Sequence, residues 1–249
     1  MNIKASAQDH GFDLTHFESI GSTNDAALDY LRSSGHGNHW FVADEQTGGR
    51  GRLGRQWSSP KGNLYASLAL LDPCEIAHGF QLGFVAALAI YDTMIGLGAP
   101  SHELSLKWPN DVLLNGAKLS GILIEGGVLA DGAFGVVIGC GINLALHPTN
   151  TPYHATDLAE AGIVATTGDC FAALAKTFRA NLDFFDKGNG FGYIRQRWIE
   201  RVRGIGGPIS VRQTNGVIEG IFEGLDDQGR LLLAHDEKVT AIIAGDVFY

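Results

Sequence analysis

The sequence predicts an α/β (α+β) fold in which a mixed, largely antiparallel sheet carries helices on one side and is followed by a small C-terminal β-barrel. Short apolar segments between residues 104 and 139 are separated by Asn-Asp, Asn-Gly and Asp-Gly turns, which indicate β-hairpins. Apolar residues recur at helical spacing over 169–186, which indicates an amphipathic helix. Beyond Gly204 the chain consists of short β segments broken by turn residues. We therefore expect two domains, residues 1–203 and 204–249, the second with about five strands.

The other elements of the first domain follow from local patterns. Ser22 is expected to begin a helix as its N-cap, because Asp25 and the apolar residues after it form a capping-box-like pattern. The apolar stretch 80–98 is interrupted by Gln81, Asp92 and glycines, so it predicts a buried core helix rather than a membrane span. A further helix is predicted over 193–202. The expected strands cover 40–43, 64–70, 104–108, 112–114, 119–125 and 134–139.

Composition and charge exclude several classes of protein. Hydrophobic residues make up 45% of the 249 residues and charged residues 18%, which is typical of a globular protein. The formal net charge of -9 argues against attraction of the whole surface to nucleic acid or to an anionic membrane. The three cysteines are far apart and the first twenty residues contain no apolar run, so we expect a cytoplasmic protein without a signal peptide. The nine histidines form no metal-binding spacing, so no structural zinc is expected.

An arginine- and glycine-rich segment, residues 48–55, is a candidate for anion binding. It places three arginines among four glycines, so the segment is flexible and its backbone N–H groups can approach a ligand. Its glycines formally match a Gly-x-Gly-x-x-Gly dinucleotide fingerprint, but residues 56–62 cannot form the helix that this motif requires. A solvated basic hairpin tip is the alternative interpretation.

Three further segments each have a structural and a functional interpretation. Lys107 and Asp111 flank a Trp-Pro turn, which is either a common polar turn or a site with a cation for phosphate and a carboxylate for a metal ion or an incoming amine. Lys118 begins an apolar strand, where it is either a protective edge lysine or a buried cation that needs a partner. Residues 139–143 contain two glycines, which form either a tight bend or a surface that a flat ligand can approach.

Taken together and in this order, the segments resemble the biotin protein ligase family, of the monofunctional type without an N-terminal DNA-binding domain. The pairing of Gly-Arg-Gly-Arg with Lys-Trp-Pro-Asn-Asp is specific to that family, and the resemblance covers about residues 15–249. The motifs are Gly21-Ser22-Thr23-Asn24, Gln46, Gly49-Arg50-Gly51-Arg52, Gly54-Arg55-Gln56-Trp57, Lys107-Trp108-Pro109-Asn110-Asp111, Lys118-Leu119-Ser120-Gly121-Ile122-Leu123 and Gly139-Cys140-Gly141-Ile142-Asn143. The resemblance implies the fold of class II aminoacyl-tRNA synthetases and biotin ligases, with an SH3-like C-terminal barrel.

The resemblance also implies an activity and a set of site residues. It implies a ligase that activates biotin with ATP and Mg²⁺ as biotinyl-5′-AMP and passes it to a lysine of a biotin carboxyl carrier protein, without a dedicated metal site. The catalytic residues it implies are Lys118, Arg52, Asp111 and Lys107. The biotin-binding residues it implies are Ser22, Thr23, Gln46, Gly49, Arg50, Arg52, Lys118, Gly139 and Gly141. The ATP-binding residues it implies are Arg52, Arg55, Trp57, Lys107, Asn110, Lys118 and Asn143.

Two features of this sequence depart from parts of the family. Bifunctional members carry a helix-turn-helix, whereas the motifs here begin at Gly21, so we expect no nucleic-acid binding. Some members stack adenine on a tryptophan after the Gly-Ile-Asn motif, but residues 147–158 contain none, and Tyr153 or His154 is the expected substitute.

The sequence is compatible with several partners and with three alternative functions. The expected partner is the carrier domain of acetyl-CoA carboxylase or a similar enzyme, with no membrane, and a homodimer is compatible with the sequence. A lipoate or octanoate ligase is the first alternative function, although we expect such an enzyme to lack the Gly-Arg-Gly-Arg loop followed by Trp57. A nonenzymatic nucleic-acid-binding protein is the second, and the net charge of -9 argues against it. A metallohydrolase is the third, and the histidine spacing argues against it.

Overall fold

The computed structural model describes residues 3–236 and 238–249, and its larger sheet has seven strands. In space they follow the order β1-β2-β3-β7-β6-β5-β4. In chain order the strands are β1 (Asp13–Phe17), β2 (His39–Ala43), β3 (Leu64–Leu71), β4 (Leu104–Lys107), β5 (Asp111–Leu114), β6 (Ala117–Val128) and β7 (Phe134–Ile142).

The pairing of these strands confirms a mixed, largely antiparallel sheet. Strands β1 and β2 pair in parallel, and all the other neighbouring pairs are antiparallel. The six strands expected from the sequence are present, with β4 ending at Lys107 just before the cis Trp108–Pro109 peptide bond. Strand β1 was not expected, because only Leu14 is buried in it and its sequence carries no alternating apolar pattern. Its hydrogen bonds to β2 define it.

Five α-helices occur in the described residues, and most of them cover one face of the sheet. They are α1 (Ile3–Gln8), α2 (Thr23–Ser34), α3 (Leu82–Gly96), α4 (Thr167–Phe185) and α5 (Phe191–Ile199). Helices α3 and α4 pack against the strands and each other, while α1 and α5 pack onto α4 and α3. Trp40, Leu68 and Ile138 of the sheet point into this main core.

Helix α2 is the exception to the expectation of helices on one side, since it covers the opposite face. Its buried residues Ala27 and Leu31 pack against Phe41, Ala69 and Val137, which alternate along their strands with the residues of the main core. A small second core forms there. The predicted N-cap is confirmed, because the Ser22 hydroxyl oxygen accepts a hydrogen bond from the backbone N–H of Asp25 at 3.4 Å.

The apolar stretch expected to form a core helix does so. The segment Ile76–Gly96 consists of a short 3₁₀ helix followed by α3, and it is long and apolar enough to cross a membrane by length and composition alone. However, 78% of its most apolar window is buried inside the protein. Nearly every residue of α3 is buried among α4, α5 and the strands, so the helix is apolar on all sides.

The C-terminal residues form a second, antiparallel sheet of five strands, as expected. It contains β8 (Pro208–Gln213), β9 (Gly216–Leu225), β10 (Leu231–His235), β11 (Lys238–Ile242) and β12 (Asp246–Phe248). The first four strands form a meander, and β12 returns to pair with β8. This strand order suits a small barrel, in which the last strand closes on the first.

The segment between α5 and β8 holds the C-terminal sheet close to the start of β5. Helix α5 ends at Ile199 rather than at the expected residue 202, because Val202 forms a parallel bridge to Leu106 of β4. The apolar residues of the C-terminal sheet also belong to the main core cluster, so the two sheets share one continuous core. The edge strand β12 therefore lies beside the turn that follows β4.

Candidate active site

A pocket opens on the α2 side of the large sheet and collects most of the residues expected at the site. It lies where the start of α2, the arginine loop (residues 48–55), strands β5, β6 and β7, and strand β12 come together. The expected residues that line it are Ser22, Thr23, Gln46, Arg50, Arg52, Arg55, Trp57, Asn110, Asp111, Lys118, Gly139 and Gly141.

One part of the pocket is a network of neutral polar groups at the start of α2. The side-chain oxygen of Gln46 accepts hydrogen bonds from the Thr23 backbone N–H at 2.8 Å and lies 2.9 Å from the Thr23 hydroxyl. The hydroxyl of Ser67, which is fully buried in β3, lies 2.7 Å from that of Thr23 and 2.6 Å from the side-chain oxygen of Asn24. Such a network can bind a ligand that carries both N–H and C=O groups.

The floor of the pocket depends on glycines in β6 and β7. A Cβ atom at Gly139 would lie 2.2 Å from the Asn24 side-chain oxygen, so only glycine fits there. A Cβ atom at Gly141 would lie 2.6 Å from the indole of Trp57, and one at Gly121 would lie 2.9 Å from the same ring. The indole of Trp57 therefore packs directly against the backbone of β6 and β7 at these two glycines.

Arg50 anchors the near end of the arginine loop. Its guanidinium lies 2.7 Å from a carboxylate oxygen of Asp25 and 2.9 Å from one of Glu125. The hydrogen bond to Asp25, together with that to Glu125, raises the pKa of Arg50 despite partial burial. Two carboxylates from different elements therefore fix this arginine.

The far end of the loop is tied to the C-terminal sheet. Arg52 donates hydrogen bonds to the Gly245 carbonyl at 3.3 Å and to the Asn110 side chain at 3.2 Å, and Arg55 pairs with Asp246. Burial lowers the pKa of Arg52, whereas the hydrogen bond to Asp246 raises that of Arg55. Between them Leu53 has φ of 57°, a left-handed conformation that is unfavourable for leucine, and its side chain is 83% exposed. The loop is therefore held at both ends and strained at its tip.

Lys118 and Asp111 form a close ion pair between the network and the loop. The Lys118 ammonium lies 2.7 Å from a carboxylate oxygen of Asp111, and both side chains are more than four-fifths buried. The same ammonium lies 5.3 Å from the Trp57 ring and 5.2 Å from the Tyr153 ring, so three groups surround the cation. Lys118 thus has the partner that a lysine entering a buried strand requires.

Three of the expected residues do not line the pocket. The Lys107 ammonium lies 5.8 Å from the ring of Phe248 and 5.6 Å from that of Tyr249, and burial lowers its pKa. The side chain of Asn143 is buried and donates a hydrogen bond to the Thr156 carbonyl at 3.0 Å. Gly49 packs behind the pocket, where a Cβ atom would lie 2.5 Å from the Ser59 hydroxyl.

Of the two residues expected near adenine, Tyr153 faces the pocket. Its ring lines the pocket beside Lys118 and is partly exposed, so it offers a free aromatic face. The backbone carbonyl of His154 accepts a hydrogen bond from the Lys118 backbone N–H. His154 itself lines a separate surface depression with Glu160 and Arg203.

The structure also brings in residues that sequence reasoning missed. Ser67 and Glu125 are polar residues within apolar strands, a pattern that signals a polar partner nearby. No local sequence pattern indicates a role for Asp246, because it contacts Arg55, a residue 191 positions away in the chain. No group of three or more His, Cys, Asp or Glu side chains suited to a metal ion occurs in the described part of the chain.

Comparison with known proteins confirms the resemblance. The chain is 39% identical to the biotin–acetyl-CoA-carboxylase ligase of Paracoccus denitrificans, across 92% of this chain and 97% of that protein. It is 31% identical to a bifunctional ligase/repressor of Bacillus subtilis, across 95% of this chain and 74% of that protein. A solved structure of the biotin protein ligase from Aquifex aeolicus in complex with biotin and ATP superposes with a TM-score of 0.79 at 30% identity, covering 94% of this chain and 97% of the other.

Family models agree with these relatives in both parts of the chain. The model of the biotin/lipoate A/B protein ligase family matches residues 16–143, and that of the biotin protein ligase C terminal domain matches residues 204–249. The chain therefore belongs to the biotin/lipoate A/B protein ligase family.

Proposed function

We propose that the chain is a biotin protein ligase, which converts biotin and ATP to biotinyl-5′-AMP and diphosphate and then transfers biotin to a lysine of a carboxyl carrier domain. One observation carries the proposal: a single pocket joins the polar network around Thr23 and Gln46 to the cations Lys118, Arg52 and Arg55. Biotin has a polar cyclic urea at one end and a carboxylate at the other. The pocket offers complementary groups for both ends.

The first half-reaction brings the biotin carboxylate to the α-phosphate of ATP. Two anions repel each other, so fixed cations must neutralise charge before the barrier falls. Lys118, Arg52 and Arg55 are each paired with a carboxylate. A phosphate can replace those carboxylates, and Lys118 then stabilises the charge that develops on the α-phosphate. Lys107, held behind Asp111, adds positive potential.

The second half-reaction needs a group that accepts a proton from the carrier lysine. Asp111 is suited to this role, because its carboxylate lies 2.7 Å from the Lys118 ammonium and would become free to accept a proton once that lysine turned to the phosphate. The neutral amine then attacks the acyl carbon and AMP leaves. Asp111 would thus be restrained before adenylation and free afterwards.

The arginine loop protects the reactive intermediate from water. A mixed anhydride hydrolyses readily in an open site, so a covering segment improves the yield of transfer. The loop has a firm anchor at Arg50 and an exchangeable one at Asp246. The Trp57 indole supports the bound ligand from beneath, and Tyr153 provides an aromatic face for adenine. Mg²⁺ bound together with ATP would supply further positive charge near the phosphates.

The remaining assignments concern domains, partners and location. Residues 1–203 would bind biotin and ATP, and residues 204–249 would anchor the loop. The names of the relatives support acetyl-CoA carboxylase or a similar enzyme as the source of the carrier domain. The three cysteines are all free and buried, which supports a reducing, cytoplasmic location. We infer no role for nucleic acid or membranes, and a homodimer is compatible with the fold.

A lipoate or octanoate ligase is the nearest alternative, since the family includes both kinds of enzyme. Lipoate has no urea group, so it would leave the polar network around Thr23 and Gln46 without ligand partners, which is unfavourable in a buried site. The test is to incubate the protein with ATP, Mg²⁺ and either acid and to detect acyl-adenylates by mass spectrometry. We expect biotinyl-adenylate and no lipoyl-adenylate. The reverse result, or neither product, would reject the proposed function.

A further inference from the structure

Residues 147–153, which we call the tyrosine loop, follow β7 and carry Tyr153 to the edge of the pocket. The three residues before the loop are held, because the buried side-chain oxygen of Asn63 accepts a hydrogen bond from the backbone N–H of each. Just after the loop, the backbone carbonyl of His154 accepts a hydrogen bond from the Lys118 N–H at 2.8 Å. Among the described residues, the tyrosine loop itself makes no backbone–backbone hydrogen bond. Its position between these two anchors therefore depends on side-chain contacts.

The side chains of His147 and Asp157 meet at the base of the tyrosine loop. The Nδ1 atom of His147 lies 2.7 Å from one carboxylate oxygen of Asp157, ten residues later in the chain. A carboxylate only accepts hydrogen bonds, so Nδ1 carries the proton of this contact. The other Asp157 oxygen accepts a hydrogen bond from the Glu160 backbone N–H at 2.8 Å, and the Glu160 carboxylate lies 3.8 Å from Nδ1. The Asp157 side chain is 7% exposed, so its charge depends on these partners for stabilisation.

Tyr153 is the residue of the tyrosine loop that faces the site. The centre of its ring lies 5.2 Å from the Lys118 ammonium, which also pairs with Asp111 at 2.7 Å. An aromatic ring at this distance stabilises a cation, and a partly exposed ring can also stack on a nucleotide base. The position of Tyr153 therefore affects both the lysine and a nucleotide bound beside it.

We propose that His147 and Asp157 are positioning residues that close the tyrosine loop and thereby hold Tyr153 beside Lys118, ready to stack on the adenine of ATP. The inference rests on the proposed function, because it requires ATP as the ligand at this end of the pocket. A loop that is free between two fixed ends has many conformations, and a contact across its base reduces their number before the ligand binds. Loss of the pair should thus weaken the binding of ATP. Biotin binding should not change, because the polar network at the start of α2 lies elsewhere in the pocket.

The first test compares His147→Ala with His16→Ala. His16 forms a similar pair with Asp44, at 2.8 Å, but this pair joins β1 to the residue after β2 and lies outside the pocket. Loss of one stack between a base and an aromatic ring weakens binding by roughly five- to a hundredfold. We expect His147→Ala to raise the KM for ATP by about fivefold or more, at the lower end of that range, while the KM for biotin stays within about twofold. His16→Ala should change neither. Equal rises in both KM values would contradict positioning and indicate a general loss of structure.

His147→Asn tests whether the hydrogen bond itself is responsible. The amide nitrogen of asparagine lies about as far from Cα as Nδ1 of histidine, so it can still donate to Asp157. We expect this variant to keep the wild-type KM for ATP within about twofold. His147→Ala leaves the buried Asp157 without its partner, so the double variant His147→Ala/Asp157→Asn removes that charge and keeps an oxygen for the Glu160 N–H. The double variant should show the same rise in the KM for ATP. Identical behaviour of His147→Asn and His147→Ala would overturn the inference.

A double-mutant cycle tests whether the pair acts through Tyr153. Tyr153→Leu should itself raise the KM for ATP, because it removes the ring. Adding His147→Ala should then raise that KM no further, since the side chain that the pair positions is already absent. Effects that multiply in the double variant would show that the pair does not act through Tyr153.

Proteolysis without any ligand gives a readout that does not depend on the proposed function. Chymotrypsin cleaves after aromatic residues, and Tyr153 is the aromatic residue of the tyrosine loop. We expect cleavage after Tyr153 to be faster in His147→Ala than in the wild type, His147→Asn or His16→Ala, because an open loop fits a protease more readily. Unchanged cleavage would show that the pair does not close the loop. Faster cleavage, together with a wild type that forms no biotinyl-adenylate, would instead reject the proposed function.

Discussion

Arg52 donates a hydrogen bond to the backbone carbonyl of Gly245, a residue 193 positions later in the chain. The neighbouring Asp246 also lies 3.6 Å from Arg52 and pairs with Arg55. Both acceptors lie at the start of β12, in the C-terminal sheet. The C-terminal sheet therefore takes part in the site by holding the arginine loop in place.

Asp246→Asn should loosen the loop when no ligand is bound. Burial alone would raise the pKa of Asp246, but the hydrogen bond and charge of Arg55 outweigh it and lower that pKa below 3.8. The carboxylate is thus charged at neutral pH, and its contribution to stability is lost only as the pH falls through that lowered value. We expect trypsin to cleave after Arg52 or Arg55 faster in the variant than in the wild type at pH 8.

The control for this proteolysis is Asp226→Asn, which removes a comparable carboxylate from Arg230 in the same sheet, away from the loop. Cleavage in the loop should not change there. If Asp246→Asn is cut at the wild-type rate, then Asp246 does not hold the loop.

Arg52→Gly should release the activated intermediate. The change removes the contacts with Asn110 and Gly245 and adds backbone freedom, so the loop opens more often, while Lys118 and its chemistry stay in place. Free biotinyl-adenylate acylates exposed lysines, so the variant should label a bystander protein at matched rates of ATP consumption. Should it form adenylate yet release none, the arginines act in ATP binding or carrier docking instead.

Lys118→Ala should lower the rate of adenylate formation by about a hundredfold or more, the size expected for the loss of one preorganised charge contact. It also leaves the Asp111 carboxylate poorly exposed and without its ion pair. Rapid quenching and chromatography of the adenylate measure the rate. Lys238→Ala, which removes an exposed lysine from β11, should have no effect. Near-normal adenylate formation by Lys118→Ala would remove that lysine from the mechanism.

Gly139→Ala should abolish tight biotin binding. The added Cβ would lie 2.2 Å from the Asn24 oxygen, so Asn24 must move and the polar network with it. Gly127→Ala, at a position in β6 with no atom within 4 Å of an added Cβ, is the matched control. Isothermal titration calorimetry measures the affinity of each variant for biotin. Equal affinities of the two variants for biotin would show that Asn24 can move away from the added Cβ atom without weakening biotin binding.

Much of the fold follows from local sequence patterns. The capped helix α2, the apolar helix α3, the amphipathic helix α4 and the hairpin strands carry strong period or turn signals, and all are present. Strand β1 and the position of α2 were not foreseen. Strand β1 is defined by its hydrogen bonds to the edge of β2, because its own sequence has no alternating apolar pattern. The position of α2 depends on which face of β2 it covers, and since Trp40 and Phe41 are both apolar and buried, no alternation in β2 reveals that face.

The residues of the candidate site also fall into two groups, those that the sequence reveals and those that only the fold reveals. Lys118 and the arginine loop stand out in the sequence, because charged residues and clustered glycines are conspicuous among apolar strands. Ser67 is an ordinary strand residue until the fold places it beneath Thr23. Asp246 needs the C-terminal sheet to reach the loop, and no local pattern reports such a distant contact.

The central claim is that this pocket activates biotin by adenylation, and isotope exchange between diphosphate and ATP tests it most directly. Adenylation is reversible, so labelled diphosphate can react with the acyl-adenylate to give labelled ATP and the free acid. Label therefore enters ATP only if the enzyme forms an acyl-adenylate with the acid that is present. The account predicts exchange with biotin, loss of that exchange with Lys118→Ala, and none with lipoate or without an acid. Exchange that is equally fast with lipoate, or absent with biotin, would contradict it.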